Sequence, residues 1–157
     1  MRNETEIRPS TWFAKYDNGR TVHNWPSNFY IEPDGTNVEA EFQAAKHFAH
    51  PWRVRTIKRV GPGHAKRLGR MWPLTDEELA VWEDNKIAVM RTLVHQKVID
   101  HPEIAMALIS TGDAHICEVN WWHDNFWGNC TCIRCFKTGE NHLGKIWMAV
   151  RESISEA

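Results

Sequence analysis

The sequence predicts an α+β fold, a single helix-rich domain with a few short strands. Apolar residues recur at helical spacing in several segments, and Gly- and Pro-rich stretches separate these segments. Strict alternation of apolar and polar residues is confined to short runs, which limits the strands. A length of 157 residues suits one domain with one core. We therefore expect one domain over residues 1–157.

The first predicted helix begins at Val38. Its apolar stripe has spacings of 4, 3 and 4 residues and consists of Val38, Phe42, Ala45 and Ala49. Residues 50–64 contain two prolines and two glycines, and they predict a loop or a broken helix. A short helix over residues 65–70 is expected to stop before Pro73.

The clearest helical pattern follows Thr75, which has capping-box spacing with Glu78. The buried face of this helix is predicted to contain Ile87, Met90, Val94 and Val98. Another helix is expected to open at Pro102 and to be capped by Gly112, because proline suits a first turn and glycine a C-terminal cap. The final helix is predicted from about Leu143.

The predicted strands are short and few. They cover residues 20–23, 29–31 and 115–121, with turns at 17–19 and 33–35. A Cys-rich loop follows the last of these strands, and we expect it as an insertion at about residues 129–138.

The composition excludes several classes of protein. Nineteen Lys and Arg against twenty Asp and Glu give a formal net charge of −1, which is too weak to hold nucleic acid by charge alone. No apolar run approaches the roughly 20 residues that cross a bilayer. The charged first six residues lack the apolar centre of a secretion signal. We therefore expect a cytoplasmic protein with no membrane partner, and the sequence specifies no oligomeric state.

Three polar side chains form a row on the first predicted helix. Glu39, Gln43 and Lys46 lie at positions i, i+4 and i+7, which places them on one face. The row is about 95° from the apolar stripe, so it lies at the edge of the buried face. It either aims a carboxylate, an amide and an amine at a cleft, or it forms an ordinary hydrogen-bonded surface row.

Two arginines and one tryptophan are candidates for ligand contacts. Arg67 and Arg70 are i,i+3 neighbours, and paired guanidinium groups suit a phosphate, although such pairs also occur on plain solvated surfaces. Tryptophan is unusually common, since nine Trp outnumber six Phe and two Tyr. Trp82 and Trp147 are expected in the core, whereas Trp127 offers a flat surface on which a base can stack.

Three of the four cysteines lie within six residues, at Cys130, Cys132 and Cys135. Thiolates this close suit a tetrahedral Zn²⁺, which in a structural site takes a fourth Cys or His ligand. The candidates are Cys117, His123 and His142, and we predict His142. The alternative is that the cysteines are reduced and hold no metal. Any zinc is expected to be structural, with no cofactor needed for catalysis.

In their order along the chain, several motifs resemble the NADAR family, which includes the YbiA-type N-glycosidases. They are Ser27-Asn28-Phe29-Tyr30, Val38-Glu39-x-x-Phe42-Gln43-Ala44-x-Lys46, Ala65-Lys66-Arg67-Leu68-Gly69-Arg70, Asp124-x-x-Trp127-Gly128 and Gly139-x-Asn141-x-Leu143-Gly144-Lys145. The resemblance spans about residues 24–152. The family usually has a histidine directly after the helix glutamate, and this chain has Ala40 there.

The resemblance implies hydrolysis of an N-glycosidic bond between ribose C1′ and a base. The first substrate that it implies is ADP-ribose attached to guanine in nucleic acid. Ribosylaminopyrimidine phosphates of the riboflavin pathway are the alternative substrate. Two functions of other classes stay open: a sensor that binds ADP-ribose or NAD without cleaving it, and a zinc-organised module that binds nucleic acid or protein.

The resemblance also implies a role for each candidate residue. Glu39 and Asp124 would stabilise the oxocarbenium ion or activate water. Lys46 would donate a proton to the base or attack C1′ as an amine. The arginines would hold phosphate, Trp127 would stack on the base, and the asparagines would bond ribose hydroxyls. The expected substrate contacts are Asn28, Phe29, Gln43, Arg67, Arg70, Trp127 and Asn141.

Overall fold

The computed structural model of the protein describes residues 25–135 and 138–156. The helices are α1 (Val38–Lys46), α2 (Pro51–Ile57), α3 (Pro62–Met71), α4 (Asp76–Asp100), α5 (Pro102–Ser110) and α6 (His142–Ser155), and the strands are β1 (Val119–Asn120) and β2 (Asn129–Cys130). The helix-rich α+β class is therefore confirmed. Residues 28–93 form one compact unit, and residues 25–27 with 94–156 form another. The single domain over residues 1–157 stays a prediction.

Helix α1 begins where the sequence predicts, directly after its N-cap residue Asn37. The Asn37 side chain accepts a hydrogen bond of 2.8 Å from a first-turn N–H, which satisfies one of the amide groups that a helix start leaves unpaired. Val38 and Phe42 are buried as expected. The helix ends at Lys46, so Ala49 lies beyond it and is exposed.

Residues 50–64 form a broken helix, which is one of the two structures predicted for them. Pro51 and Pro62 occupy the first turns of α2 and α3, where a missing N–H leaves no hydrogen bond unmade. The α3 helix starts three residues earlier than predicted and ends before Pro73. Helices α1, α2 and α3 pack around Ala40, Ala44, Ile57, Ala65 and Leu68. Because three of these five residues are alanines, α1 and α3 can approach each other closely.

The long helix α4 starts at the predicted capping box. The Thr75 N–H donates to Glu78 Oε2 at 2.9 Å, and the Glu78 N–H donates to Thr75 Oγ1 at 3.2 Å. Further along α4, Met90, Val94 and Val98 are buried as predicted, whereas Ile87 is only half-buried. The apolar spacing therefore predicted three of the four residues of the buried face of α4.

In the other unit, α5 packs against α6. Pro102 lies in the first turn of α5, and Gly112 follows the helix with a positive φ of 54°, as a C-terminal glycine does. Trp147 of α6 is fully buried, and its indole N–H donates to the Pro26 carbonyl at 3.1 Å. The ring of Trp25 meets Trp147 edge-on at 5.1 Å. Trp147 is therefore a core residue, as the sequence predicts.

The strands are shorter than the sequence predicts. Of residues 115–121, only Val119 and Asn120 form a strand, which pairs in parallel with residues 129–130. Residues 29–31 form no strand, and the turn at 33–35 is present with Gly35 at φ 86°. The predicted strand at 20–23 and the turn at 17–19 lie outside the described residues. Alternation identifies faces but not pairing partners, so it overestimated the strands.

Candidate active site and cysteine cluster

The polar row on α1 is buried, unlike a solvated surface row. Glu39 is 5% exposed and Gln43 is 7% exposed. The Gln43 amide donates from Nε2 to Glu39 Oε1 at 2.8 Å. Glu39 lies in the first helical turn, where its carboxylate is stabilised by the positive end of the helix dipole. The sequence prediction that these side chains share one face is thereby confirmed for Glu39 and Gln43.

Lys46 lies at the other end of the row and is half-buried. Its Nζ donates to the Gly69 carbonyl of α3 at 3.1 Å. Burial lowers the pKa of Lys46 below the usual lysine value, the positive charge of Arg70 lowers it further, and the carboxylate of Glu83 acts against both. The Lys46 amine therefore loses its proton more readily in this site than a lysine amine does in water.

Gly69 is the point at which α3 supports the row. A Cβ at this position would overlap the side-chain amide of Gln43. The Gly69 carbonyl also contacts Nε2 of His47 at 3.1 Å, and His47 is fully buried. Sequence reasoning did not predict Gly69 or His47 as supports, because both contacts join residues more than twenty positions apart.

Two buried amide oxygens beside the row have no hydrogen-bond partner among the described residues. They are Oε1 of Gln43 and Oδ1 of Asn28. The backbone of Asn28 is tied to α1, since its carbonyl accepts the Glu39 N–H at 3.0 Å. Buried acceptors of this kind are normally satisfied by protein, water or ligand. Both residues are among the predicted substrate contacts.

The predicted phosphate-binding arginines lie on α3 and are exposed. Arg70 is close enough to Lys46 to lower its pKa, and Arg67 precedes Arg70 by one turn. Phe29 lies beside the middle of the same helix, where Nζ of Lys66 is 5.4 Å from the centre of its ring. The structure thus brings Arg70 and Lys46 together.

Asp124 stabilises a turn in the unit formed by residues 25–27 and 94–156. Its Oδ1 accepts the Phe126 N–H at 3.2 Å and the Trp127 N–H at 2.9 Å. The side chain of Asn120, which is fully buried, holds the Asp124 backbone with hydrogen bonds of 2.7 and 3.1 Å. Asp124 therefore positions Trp127, and Asn120 is a supporting residue that the sequence analysis did not predict.

Trp127 is half-buried between this turn and the start of α6. Its ring meets Phe126 edge-on at 4.9 Å, and its carbonyl accepts the Leu143 N–H at 3.0 Å. The backbone of Trp127 is thus fixed while part of its indole stays accessible. This arrangement fits the stacking surface that the sequence predicts.

Asn141 has a structural role that differs from the predicted ribose contact. It is 4% exposed and has a left-handed φ of 53°. Its Oδ1 accepts the Glu118 N–H, and its Nδ2 donates to the Ile116 carbonyl, both at 2.9 Å. Both polar atoms bind the backbone that leads into β1, so Asn141 supports this backbone, and its contact with ribose stays a prediction.

The three clustered cysteines meet His123, not the predicted His142. The Sγ atoms of Cys130, Cys132 and Cys135 lie 3.7, 3.4 and 3.5 Å from Nδ1 of His123. His142 instead places Nε2 2.7 Å from a carboxylate oxygen of Glu140. The fourth predicted ligand was therefore wrong. His142 lies at the start of α6, which directs its ring toward Phe126 at 4.4 Å.

The thiols of the cluster interact with one another. Burial acts to raise the pKa of Cys132, but hydrogen bonds from Cys130 and Cys135 outweigh it and lower this pKa to about 6. The pKa of Cys135 is raised: a hydrogen bond from Asn125 lowers it, and burial together with the neighbouring thiols outweighs that bond. The ligand atoms of these three cysteines and of His123 all lie within 4.8 Å of one another.

The candidate residues divide between the two compact units. Glu39, Gln43, Lys46 and the arginines belong to residues 28–93, whereas Asp124 and Trp127 belong to the unit that contains α6. The pairing of the Glu39 and Asp124 carboxylates stays a prediction. In the described part of the chain, every helix is too short or too polar to cross a membrane.

The fold and the motif order define the class of protein. The NMR structure of YbiA from Escherichia coli superposes with a TM-score of 0.73 and 29% identity, covering 98% of this chain and 86% of that one. The protein therefore has a YbiA-like fold. A family model described as the NADAR domain matches residues 10–155. The chain belongs to the NADAR family, as its motifs indicate.

Sequence relatives share this family. A riboflavin biosynthesis protein of Vibrio vulnificus (strain YJ016) is 31% identical over 143 residues, which cover 85% of this chain and 36% of the relative. An N-glycosidase of Nostoc punctiforme is 39% identical over 93 residues, covering 59% of this chain and 55% of the relative. The N-glycosidase YbiA of Escherichia coli (strain K12) is 29% identical over 148 residues, 93% of this chain and 78% of YbiA. The chain thus matches only 36% of the length of the Vibrio protein and 55% of the length of the Nostoc protein.

Proposed function

We propose that this protein is an N-glycosidase, a hydrolase that cleaves the bond between ribose C1′ and a base nitrogen. The observation that carries the proposal is the buried Glu39–Gln43 pair on α1, one turn from a half-buried Lys46. The Nostoc and Escherichia relatives are also named N-glycosidases. A carboxylate and an amine of lowered pKa are the groups that this chemistry requires.

Glu39 would stabilise the positive charge that develops on the sugar. As the C1′–N bond breaks, C1′ and the ring oxygen acquire oxocarbenium character. A carboxylate with little solvent around it attracts such a charge more strongly than one in water. The hydrogen bond from Gln43 fixes the orientation of the Glu39 carboxylate before substrate binds, so the site needs little rearrangement.

Lys46 would act as the nucleophile. Its neutral amine forms a bond to C1′ while the bond to the base breaks, and the base leaves with the bonding electron pair. The proton lost by the amine balances the proton gained by the base. Opening of the sugar ring gives an imine, which water hydrolyses to free sugar and the original amine. The lowered pKa of Lys46 supports this role, because only the neutral amine can attack.

We propose ADP-ribose on guanine in nucleic acid as the substrate. Arg67 and Arg70 would bind phosphate, since both are exposed on one face of α3 and Arg70 is close to Lys46. The accessible indole of Trp127 would stack on the base. With a formal net charge of −1, the protein would recognise the modified nucleotide more than the phosphate backbone.

A second candidate substrate is a ribosylaminopyrimidine phosphate. The Vibrio relative is named a riboflavin biosynthesis protein, which favours this substrate. Such a substrate carries one phosphate, so it would need one of the two arginines where ADP-ribose would use both. Comparing Arg67→Ala with Arg70→Ala on each substrate therefore distinguishes the two.

A panel of four compounds tests the proposed activity: DNA carrying ADP-ribosylated guanine, a ribosylaminopyrimidine phosphate, NAD and free ADP-ribose. We expect release of ADP-ribose from the modified DNA and no product from the other three. Release from the pyrimidine compound alone would favour the second candidate. Binding of ADP-ribose without turnover of any compound would contradict an N-glycosidase and favour a sensor.

Matched variants test the residues. Glu39→Gln keeps the shape and the acceptor for Gln43 but removes the charge, and Lys46→Met removes the amine. Each should lower kcat by at least about 100-fold, the usual contribution of one such group. Lys58→Met is the control, because Lys58 pairs with Glu41 at the surface. Wild-type turnover in Glu39→Gln or Lys46→Met would remove that residue from the mechanism.

Borohydride distinguishes the two roles of Lys46. Reduction during turnover should attach the sugar covalently to wild-type protein and to Lys58→Met, and peptide mass mapping should place it on Lys46. No adduct should form in Lys46→Met. Turnover without any reducible adduct would show that Lys46 acts as a proton donor instead.

A further inference from the structure

The cysteine cluster has the geometry of a metal site. We propose that Cys130, Cys132, Cys135 and His123 bind one structural Zn²⁺. Tetrahedral zinc, with Zn–S near 2.3 Å and Zn–N near 2.0–2.1 Å, requires about 3.6 Å between the nitrogen and each sulfur. The three observed distances from His123 Nδ1 are 3.7, 3.4 and 3.5 Å. The four ligand atoms all lie within 4.8 Å of one another.

The backbone of His123 supplies an independent observation. Its φ is 67°, a left-handed conformation that side-chain-bearing residues adopt infrequently and at a free-energy cost. This conformation turns the imidazole toward the three thiols although His123 itself is exposed. A bond from Nδ1 to a metal offsets that cost.

The ligands lie on both sides of β2, since His123 precedes this strand and Cys132 and Cys135 follow it. Cys130 belongs to β2, and the register of the parallel pair places it opposite Asn120 at the end of β1. The Cys130 N–H donates to the Asn125 side chain at 3.0 Å, which ties β2 to the loop that connects β1 with β2. The loop has little core of its own, since Trp121 and Trp122 are 49% and 37% exposed. A metal would hold together a segment that apolar packing does not.

The donor set favours zinc over a disulfide. A disulfide would use two of the three sulfurs and leave the third sulfur and the imidazole without a common partner. Three thiolates and one imidazole match the closed structural zinc sites, and thiolate-rich tetrahedral sites select Zn²⁺ among common divalent ions. All four coordination positions are protein ligands, so the ion has no open position for a substrate. Each of the three thiols releases its proton as it binds the metal.

Metal analysis of purified protein tests the site directly. Protein from zinc-supplemented cells should contain about one zinc per chain by mass spectrometry. Cys132→Ser and His123→Ala should each lose most of it, at least 10-fold in affinity. His142→Ala and Cys117→Ser are matched controls and should retain it, because neither residue belongs to the cluster. Absence of zinc from the wild type, or its loss from His142→Ala and not from His123→Ala, would overturn the proposal.

Cobalt substitution tests the coordination itself. Reduced, chelator-treated protein titrated with Co²⁺ should show a thiolate-to-cobalt charge-transfer band and the visible bands of a tetrahedral ion, saturating at one equivalent. Added Zn²⁺ should abolish them. His123→Ala should shift the visible bands and keep the charge-transfer band, with circular dichroism reporting whether the variant is folded. A saturated spectrum typical of an octahedral ion would contradict a site of three cysteines and one histidine.

The zinc site does not depend on the proposed enzymatic function. Hydrogen exchange provides a readout that needs no substrate: removal of zinc should accelerate exchange over residues 121–135 and leave α1 and α3 unchanged. Equal exchange in the presence and absence of zinc would show that the ion does not organise this loop.

Discussion

Replacement of Gly69 by alanine tests whether α3 supports the polar row. Gly69 lies in the interior of α3, where alanine is a better helix former by about 1 kcal/mol. Helix propensity alone therefore predicts that Gly69→Ala stabilises the protein. The contact with Gln43 predicts the opposite, because the new methyl group would overlap the Gln43 amide. The sign of the change therefore separates the two effects.

The magnitude follows from how Gln43 responds. If Gln43 stays in place, the backbone must shift, and overpacking costs about 1–3 kcal/mol. If Gln43 rotates away, its hydrogen bond to the Glu39 carboxylate is lost, which costs about 1.5–3 kcal/mol. Either cost equals or exceeds the gain of about 1 kcal/mol in helix propensity. We expect a net destabilisation of up to about 2 kcal/mol.

Urea unfolding monitored by tryptophan fluorescence measures this change. With a slope of about 2 kcal/mol/M, the midpoint should fall by up to roughly 1 M. Gly61→Ala is the control, since a Cβ at Gly61 meets no atom within 4 Å and its φ is −67°. It should change the free energy of unfolding by less than about 1 kcal/mol. An increased midpoint for Gly69→Ala would refute the close approach of α3 to Gln43.

Three further predictions concern single groups. If neutral Lys46 is the nucleophile, kcat/KM should rise with pH through a pKa below the usual lysine value; a fall over the same range would indicate a proton donor. Asp124→Asn should retain the hydrogen bonds to the Phe126 and Trp127 N–H groups, whereas Asp124→Ala loses them. If both variants lose activity, the charge of Asp124 takes part in catalysis. If only Asp124→Ala loses activity, Asp124 acts by positioning Trp127. Thr75→Ala should lower the free energy of unfolding by about 1 kcal/mol through the capping box, and an unchanged thermal unfolding midpoint would contradict it.

Local patterns predicted the helices because each helix carries its own signals. The N-terminus of α4 was predictable from Thr75 and Glu78, whose side chains and backbone satisfy each other within three residues. The face shared by Glu39 and Gln43 follows from helix periodicity alone. The burial of that face does not, because it depends on Gly69 in another helix.

Contacts that depend on loop conformation were not predictable. Sequence spacing left three candidates for the fourth member of the cysteine cluster. The structure places His123 there, and its positive φ turns the imidazole toward the thiols. The same holds for Asn141, whose left-handed backbone turns its amide toward Ile116 and Glu118. Residue type gives only a weak signal for either conformation, since histidine and asparagine are enriched among residues with positive φ but usually adopt a negative φ. The short strands depended on a parallel partner that alternation does not identify.

The parallel pairing of β1 with β2 limits how this segment can vary. Parallel strands are usually joined by a dozen or more residues, and here residues 121–128 make the whole connection. This short connection leaves little slack, and a change in its length that shifted the register by one position would turn Cys130 to the opposite face. The length of the connection is therefore as fixed as its ligands. Homologous chains that share the cysteines should also share the distance between Asn120 and Cys130, whereas chains without the cysteines are free to change it.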